Sequence, residues 1–363
     1  MRRYSLLITA AASFWLTASC ADPPTGPEPI GDLAAEWQIS DPAAEGLDAG
    51  TIRSAVEKAR TLPRLLSLLV VRNGSLVVEE YFHGNHADSL NDVRSVTKSV
   101  VSTLVGAAAR RGLLPTLDRQ LPEGLPSRYH ADLTAETRAI TFRHLLTMSS
   151  GFEWDEVGVA EYNAWVVSPD PVGYLLTRPL VTVPGSRFSY NSAAVHLLSV
   201  ALAGAIGRPL EAFAAEALFQ HLGISRVRWE RFADGTPNGG SGIAMRPRDL
   251  AKLGALWLAG GSTGPVQVFE RNYHDAAVMQ SFGTWSLGPL TQYGYGYLWW
   301  VARTPHGDGF FAWGFGGQFV FVVPAKAMVV VVTTEWRGAG AAAGQLAANG
   351  LDLIVNGVLP AAR

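Results

Sequence analysis

The sequence predicts an α/β protein of the α+β type, in which an antiparallel sheet is built from the two chain ends and flanked by terminal helices, with a mostly helical lobe inserted between them. Three observations predict it. Pairs of β-rich runs joined by turn residues occur near both ends, the middle of the chain has helical spacing, and no alternating strand-helix repeat supports a doubly wound parallel sheet. The chain has 363 residues, 48% hydrophobic and 17% charged, with 11 Trp, 10 Tyr and 15 Phe. That is more than one compact core usually holds and too apolar for general disorder, so two lobes with an aromatic-lined interior are expected.

The first residues read as an export signal. Arg2 and Arg3 precede the apolar stretch Leu6 to Leu16, and Thr17-Ala18-Ser19-Cys20 follows as a small-residue cleavage site. The apolar stretch is too short for a convincing membrane span. The arrangement resembles a bacterial lipobox, although Thr17 stands where that motif usually has leucine. The resemblance implies that Cys20 becomes the lipidated first residue of an exported chain anchored to a membrane, in the periplasm or at the cell surface. An ordinary signal cut after Ala21 is the alternative. The proline-rich run from Ala21 to Pro29 reads as an extended tether. The expected organisation is a signal peptide over 1–19, a tether over 20–36, a sheet domain from 37–95 plus 290–363, and a helical domain over 96–289.

The formal charge is −2, from 29 basic and 31 acidic residues, and no dense Lys/Arg run occurs. Nucleic acid is therefore not an expected partner. Cys20 is the single cysteine, which rules out an internal disulfide or a cysteine metal cluster.

The helical and strand signals follow in chain order. Asp48 to Arg60 has helical spacing. Leu66 to Val71 and Leu76 to Phe82 flank an Asn73-Gly74 turn and form a hairpin. Helical spacing then recurs over Val96 to Arg111, Val195 to Ile206, Leu210 to Leu222 and Asp249 to Leu258. A second hairpin runs from Gln318 to Val323, through Pro324-Ala325-Lys326, to Met328 to Thr334, and the Ala-rich stretch Ala341 to Val355 closes the chain as a helix.

Chemistry enters where the first of the central helices begins. Ser95 opens it and Lys98 follows one turn later, on the same face. Val96, Val100, Val101, Leu104, Val105 and Ala108 make that helix apolar nearly all round, so the lysine is desolvated and its amine tends to lose its proton. A neutral amine can deprotonate the serine, and the helix N-terminus offers backbone N–H groups to an oxyanion. Only four lysines occur among the 29 basic residues, so lysine here is a departure from the chain's habit of using arginine, which cannot serve as a base. By itself the pair also fits an N-cap serine beside a snorkelling lysine.

Two further segments stand out. In Tyr190-Asn191-Ser192, ahead of an apolar helix, the phenol and hydroxyl can project into a cleft and relay a proton; helix capping by Asn191 or Ser192 with Tyr190 as packing is the plainer reading. In Ala312-Trp313-Gly314-Phe315-Gly316-Gly317-Gln318, at the expected start of a late edge strand, glycines let substrate approach the backbone. An N–H there can complete an oxyanion hole with that of Ser95, unless the run is merely a glycine-rich strand entrance or bulge.

Taken in order, Ser95-x-x-Lys98, Tyr190-Asn191-Ser192 and the glycine-rich late segment resemble the serine β-lactamase and penicillin-recognising superfamily, and within it the class C-like esterase and amidase branch that includes 6-aminohexanoate-dimer hydrolase-like enzymes. The similarity continues through Ile140 to Gly151, Gly240 to Gly254 and Tyr293 to Trp300, and covers the chain from about Asp48 onward. The resemblance implies a β-lactamase/transpeptidase-like fold. It makes Ser95 the acylated nucleophile, Lys98 its base, Tyr190 the proton shuttle and Ser192 a substrate-side polar contact. Backbone N–H groups of Ser95 and Phe315 would hold the oxyanion, with Trp313 and Gly314 against the substrate. Many β-lactam-processing members have Lys-Thr-Gly where this chain has Ala312-Trp313-Gly314. The missing charge and hydroxyl turn the expectation away from β-lactams and D-Ala-D-Ala and toward a small-molecule ester or amide, with no metal or organic cofactor required.

Two other chemistries fit less well. Gly260-Gly261-Ser262-Thr263-Gly264 matches a nucleophile elbow in letters but follows a helix and runs into Pro265, so a helix-ending loop is expected. His83 and His86 fall in a polar loop and His144, His196 and His221 are scattered, without the paired-histidine helix of a metallohydrolase. A lipid-anchored binding protein of the same fold is the rival from outside the enzymes.

Overall fold

The computed structural model describes residues 31–362. Cys20, the leader and most of the tether lie outside the described residues.

An eight-stranded antiparallel sheet forms the body of the protein. Its strands are β1 (Leu65–Arg72), β2 (Ser75–Tyr81), β6 (Phe282–Leu287), β7 (Leu290–Tyr295), β8 (Trp300–Arg303), β9 (Gly309–Gly314), β10 (Gln318–Val323) and β11 (Met328–Thr334), arranged β2-β1-β11-β10-β9-β8-β7-β6. The two chain ends meet at the β1/β11 pair, with Val70 opposite Val330. A smaller sheet of β3 (Asn91–Asp92), β4 (Arg228–Trp229) and β5 (Ile243–Met245) has β5 at its centre.

The middle strands of the large sheet are buried on both faces, which explains their nearly continuous apolar runs, Phe319 to Val323 in β10 and Met328 to Val332 in β11. Along β10 and β11, Phe319, Phe321, Val330 and Val332 enter one core, whereas Val320, Val322, Val329 and Val331 enter the other. The first core is closed by helix α1 (Ala49–Thr61) and by the C-terminal Ala343–Asp352 helix and the wider turns of Leu353–Val358. The second is continuous with the helical lobe and contains helix α2 (Val96–Arg110), the Ser192–Ile206 helix and the Pro247–Leu258 helix. Asp48 caps α1 by accepting from the Thr51 N–H, and Gly207, at φ 71°, ends Ser192–Ile206 in the left-handed conformation that glycine tolerates.

The structure differs from expectation in three places. The sheet begins at Phe282 rather than 290, and the Pro247–Leu258 helix packs on β10 and β11 although it falls within the expected helical domain. Segment 282–303 is rich in Gly, Trp and Tyr, which blurs the alternation that marks a strand. The glycine-rich segment leads into a strand, as expected, but also ends one: β9 stops at Gly314, the chain turns, and Gln318 begins β10. Nor is β9 an edge, since it lies between β8 and β10. Finally, Leu210–Leu222 is not one regular helix, because its α turns widen at Ala215–Phe219 and tighten at Gln220–Leu222.

Candidate active site

The turn before α2 is held from several sides. Val93 N–H donates to the Ile243 carbonyl at 3.0 Å, the Ile243 N–H donates to Thr97 Oγ1 at 3.0 Å, and the Arg94 N–H donates to Asp92 Oδ1 at 3.1 Å. Arg94 has φ 49°, a left-handed conformation that an arginine keeps only where the surroundings impose it. This kink delivers Ser95 to the first turn of α2. Its side chain makes no capping bond to the helix, so the hydroxyl is left for other partners and the simple N-cap reading does not hold.

Every residue of α2 from Val96 to Ala108 is buried, Lys98 included, at 1% exposure. Lys98 Nζ lies 2.9 Å from Ser95 Oγ, 2.8 Å from Ser192 Oγ and 2.7 Å from the Gly240 carbonyl oxygen. The Gly240 carbonyl is aimed by a tight turn in which the N–H groups of Gly240 and Ser241 both donate to Asn238 Oδ1. Burial brings the Lys98 amine down to about 7, against an opposing pull from the Glu156 charge and with a smaller lowering from Arg94. Near neutral pH a large share of it is uncharged.

Tyr190 stands on the other side of Lys98, with the ammonium nitrogen 4.9 Å from its ring centroid. Its desolvating surroundings, together with the Glu156 charge, hold the phenol well above its ordinary value, while a hydrogen-bonding contribution from Ser95 pulls the other way. The phenol therefore keeps its proton at neutral pH and has one to give. Asn191 does cap the next helix, accepting from the Ala194 N–H at 2.8 Å. The plainer reading of this trio thus holds for Asn191, while Tyr190 lines the cleft.

Ser192 is corrected. Expected on the substrate side, it is fully buried behind Lys98, and its hydroxyl donates to Glu156 Oε1 at 2.5 Å. The first position of the Ser192–Ile206 helix points it inward to the lysine and not to the cleft.

Ser95 and Tyr190 open onto a cleft of about 670 Å³ between the end of the sheet and the helical lobe. Trp313, Gly314 and Phe315 line it, together with Trp300 of β8 and Trp336 beyond β11. A Cβ on Gly314 would fall 2.2 Å from the Val93 carbonyl oxygen. Only glycine lets β9 end against the strand that leads into Ser95, and this places the Phe315 and Ser95 peptides on one cleft.

Three contributors were not singled out in the sequence. Glu156, Arg94 and Tyr162 all line the cleft, with Arg94 donating to the Tyr162 hydroxyl at 2.9 Å and stacked 4.3 Å from the Trp336 ring. Arg94 sits beside the nucleophile and could have been suspected there; Glu156, in an irregular segment, carries no such signal.

Two of the segments read for competing chemistries have plain structural roles. Gly260 and Gly261, at φ 63° and 94°, end the Pro247–Leu258 helix, so the Ser262 segment is a helix-ending loop. His196 is buried against Phe232 and Trp165, and among the described residues no group of three or more His, Cys, Asp or Glu could hold a metal ion.

Comparison with known proteins places the fold and the family. Solved structures of similar fold include a Bacillus anthracis protein described as a 6-aminohexanoate-dimer hydrolase, at 17% identity and TM-score 0.69, covering 91% of this chain and 89% of that one. EstCE1, a hydrolase with promiscuous acyltransferase activity, matches at 17% identity and TM-score 0.66 over 86% of this chain and 98% of its own. The octameric penicillin-binding protein homologue from Pyrococcus abyssi matches at 18% identity and TM-score 0.67, over 87% and 79%. No curated protein matches the chain. The Beta-lactamase family pattern covers residues 55–353, and the chain belongs to that family of serine hydrolases.

Proposed function

We propose that the protein is an exported hydrolase that cleaves a small-molecule ester or amide through an acyl-enzyme on Ser95. The observation that carries this reading is the buried Lys98 amine, brought down to about 7, at 2.9 Å from the Ser95 hydroxyl. Lys98 takes the Ser95 proton as Oγ bonds to the substrate carbonyl carbon. Backbone N–H groups of Ser95 and Phe315 hold the oxyanion, and Tyr190 protonates the departing alcohol or amine. Water then attacks the ester on Ser95, releases the acid and restores the serine.

The ester or amide preference is supported by the cleft wall. Trp313 stands at the position where β-lactam-processing relatives carry a hydroxyl, and Tyr293, Trp300, Phe315 and Trp336 add apolar surface for an acyl or amine group. Lipid anchoring through Cys20 is part of the proposal and rests on the leader sequence; incorporation of labelled palmitate that is lost in Cys20→Ala tests it.

A panel of short p-nitrophenyl esters, linear amides, D-amino-acid peptides and a chromogenic cephalosporin tests the reading. Turnover of esters or amides that Ser95→Ala abolishes is expected. Preferential cephalosporin or D-peptide turnover would replace the proposed substrate class, and turnover that persists in Ser95→Ala, or no turnover at all by the wild type, would overturn the proposal in favour of another site or a binding protein.

A further inference from the structure

The three partners of Lys98 differ in what they can offer it. The Gly240 carbonyl, at 2.7 Å, only accepts. Ser192 Oγ, at 2.8 Å, has its proton committed to Glu156 Oε1, 2.5 Å further on. The Ser95 hydroxyl, at 2.9 Å, is left as the one neighbour of the three with a proton to give. An uncharged amine has two N–H groups and one lone pair. Its N–H groups satisfy Gly240 and Ser192, and its lone pair then faces Ser95.

Glu156 fixes this arrangement because its other oxygen is met only by donors. Oε2 accepts from Trp154 Nε1 at 2.5 Å and from the Ser192 N–H at 3.1 Å. We propose that Glu156 is a positioning residue that sets the direction of the hydrogen bonds: by holding the Ser192 proton it makes Ser192 an acceptor toward Lys98 and turns the lysine lone pair onto Ser95. The proposal rests on the reading of Ser95 and Lys98 given above. During acylation the Ser95 O–H bond breaks, its proton moves to Lys98, Oγ bonds to the carbonyl carbon as the C=O π pair moves onto the oxygen, and Glu156 keeps its bond from the Ser192 hydroxyl throughout. The new ammonium finds all its acceptors already in place at Gly240, Ser192 and Ser95.

Glu156→Gln reverses the polarity with little change of shape. Two N–H donors face the Oε2 position, so the amide oxygen takes that side and the NH2 group replaces Oε1 and donates to Ser192 Oγ. The Ser192 proton then swings to Lys98 and occupies its lone pair. On a p-nitrophenyl ester, kcat is expected to fall roughly a hundredfold with KM within about twofold. Adding Ser192→Ala to that variant removes the misdirected hydroxyl and should recover about tenfold in kcat. The charged groups facing Lys98 are Glu156 and Arg94, with the Tyr190 ring beside them. Because Glu156 raises the amine, the acid limb of kcat/KM in the double variant should lie at lower pH than in the wild type, a readout that loss of loop support alone does not move.

A fluorophosphonate probe on the same proteins separates the two levels of the argument. A wild type that is not labelled sinks the underlying serine-lysine reading. A labelled wild type with Glu156→Gln at full kcat overturns the role of Glu156 alone, as does a double variant no faster than Glu156→Gln. Should Glu156→Gln fail to fold by thermal melt, Ser192→Ala alone still decides: a loss of labelling rate smaller than about tenfold is expected, and a loss of a hundredfold or more, with the fold intact, contradicts the proposal.

Discussion

The Trp300 indole lies nearly parallel to the Tyr190 ring, with centroids 5.8 Å apart and planes 18° from parallel. The ring is thus packed by Trp300 of the sheet and also lies against Lys98, 4.9 Å from its nitrogen, so much of the phenol's position is set by ring packing. Tyr190→Phe should keep the ring stacked, leave the melting temperature within about 2 °C, and lower kcat roughly a hundredfold or more by removing the proton donor to the leaving group. Steady-state kinetics beside a thermal melt checks both halves.

The pH dependence follows from Lys98. Its amine must be uncharged to accept a proton, and burial brings it down to about 7. Below that pH the charged form dominates, so kcat/KM should fall about tenfold per unit as the medium is acidified, and should level off above it. A rate independent of pH from weakly acid to alkaline conditions, with chemistry limiting, contradicts lysine as the base.

Gly314 is predicted to be intolerant of any side chain. The clash of a Cβ with the Val93 carbonyl, at 2.2 Å, is with backbone and cannot be relieved by a rotamer. Gly314→Ala should therefore push β9 from the turn that carries Ser95 and lower kcat by about a hundredfold, the scale expected when an oxyanion donor is misplaced. Activity close to that of the wild type would remove Phe315 from the oxyanion site.

Acid sensitivity of the fold should trace partly to His196. The buried imidazole, packed 4.5 Å from the Phe232 ring, stays neutral down to about 4 because of desolvation, against an ordinary value of 6.5. Between those values the unfolded chain binds a proton that the folded one does not, so stability is lost as pH falls through that window and this group has no effect above it. His196→Gln should show a lower melting temperature at neutral pH but a shallower decline on acidification.

The parts of the site that local chemistry dictates were legible in the sequence. Ser95 and Lys98 share a face of an apolar helix by spacing alone, and β10 and β11 are marked by continuous Phe and Val on both sides of a proline-containing turn. What escaped is set by distant contacts. Glu156 belongs to no helix or strand and acquires its meaning only because Ser192 and Lys98 arrive from two other segments, while Trp154, two residues before it, holds its second oxygen. Ser192 was placed on the wrong side of the lysine because a sequence gives the order of a motif but not which way the helix after Asn191 rotates it. β6 was missed because Gly283 and the scattered aromatics around it hide the alternation, and its pairing with β7 shifts register twice.

The central claim is tested most directly by the mass and position of a fluorophosphonate adduct, followed as labelling rate against pH. The account predicts one adduct, on Ser95, forming faster as pH rises through about 7, and lost in both Lys98→Met and Lys98→Arg, since arginine keeps its charge. An adduct on another residue, or a Lys98→Arg variant labelled as fast as the wild type, would contradict it.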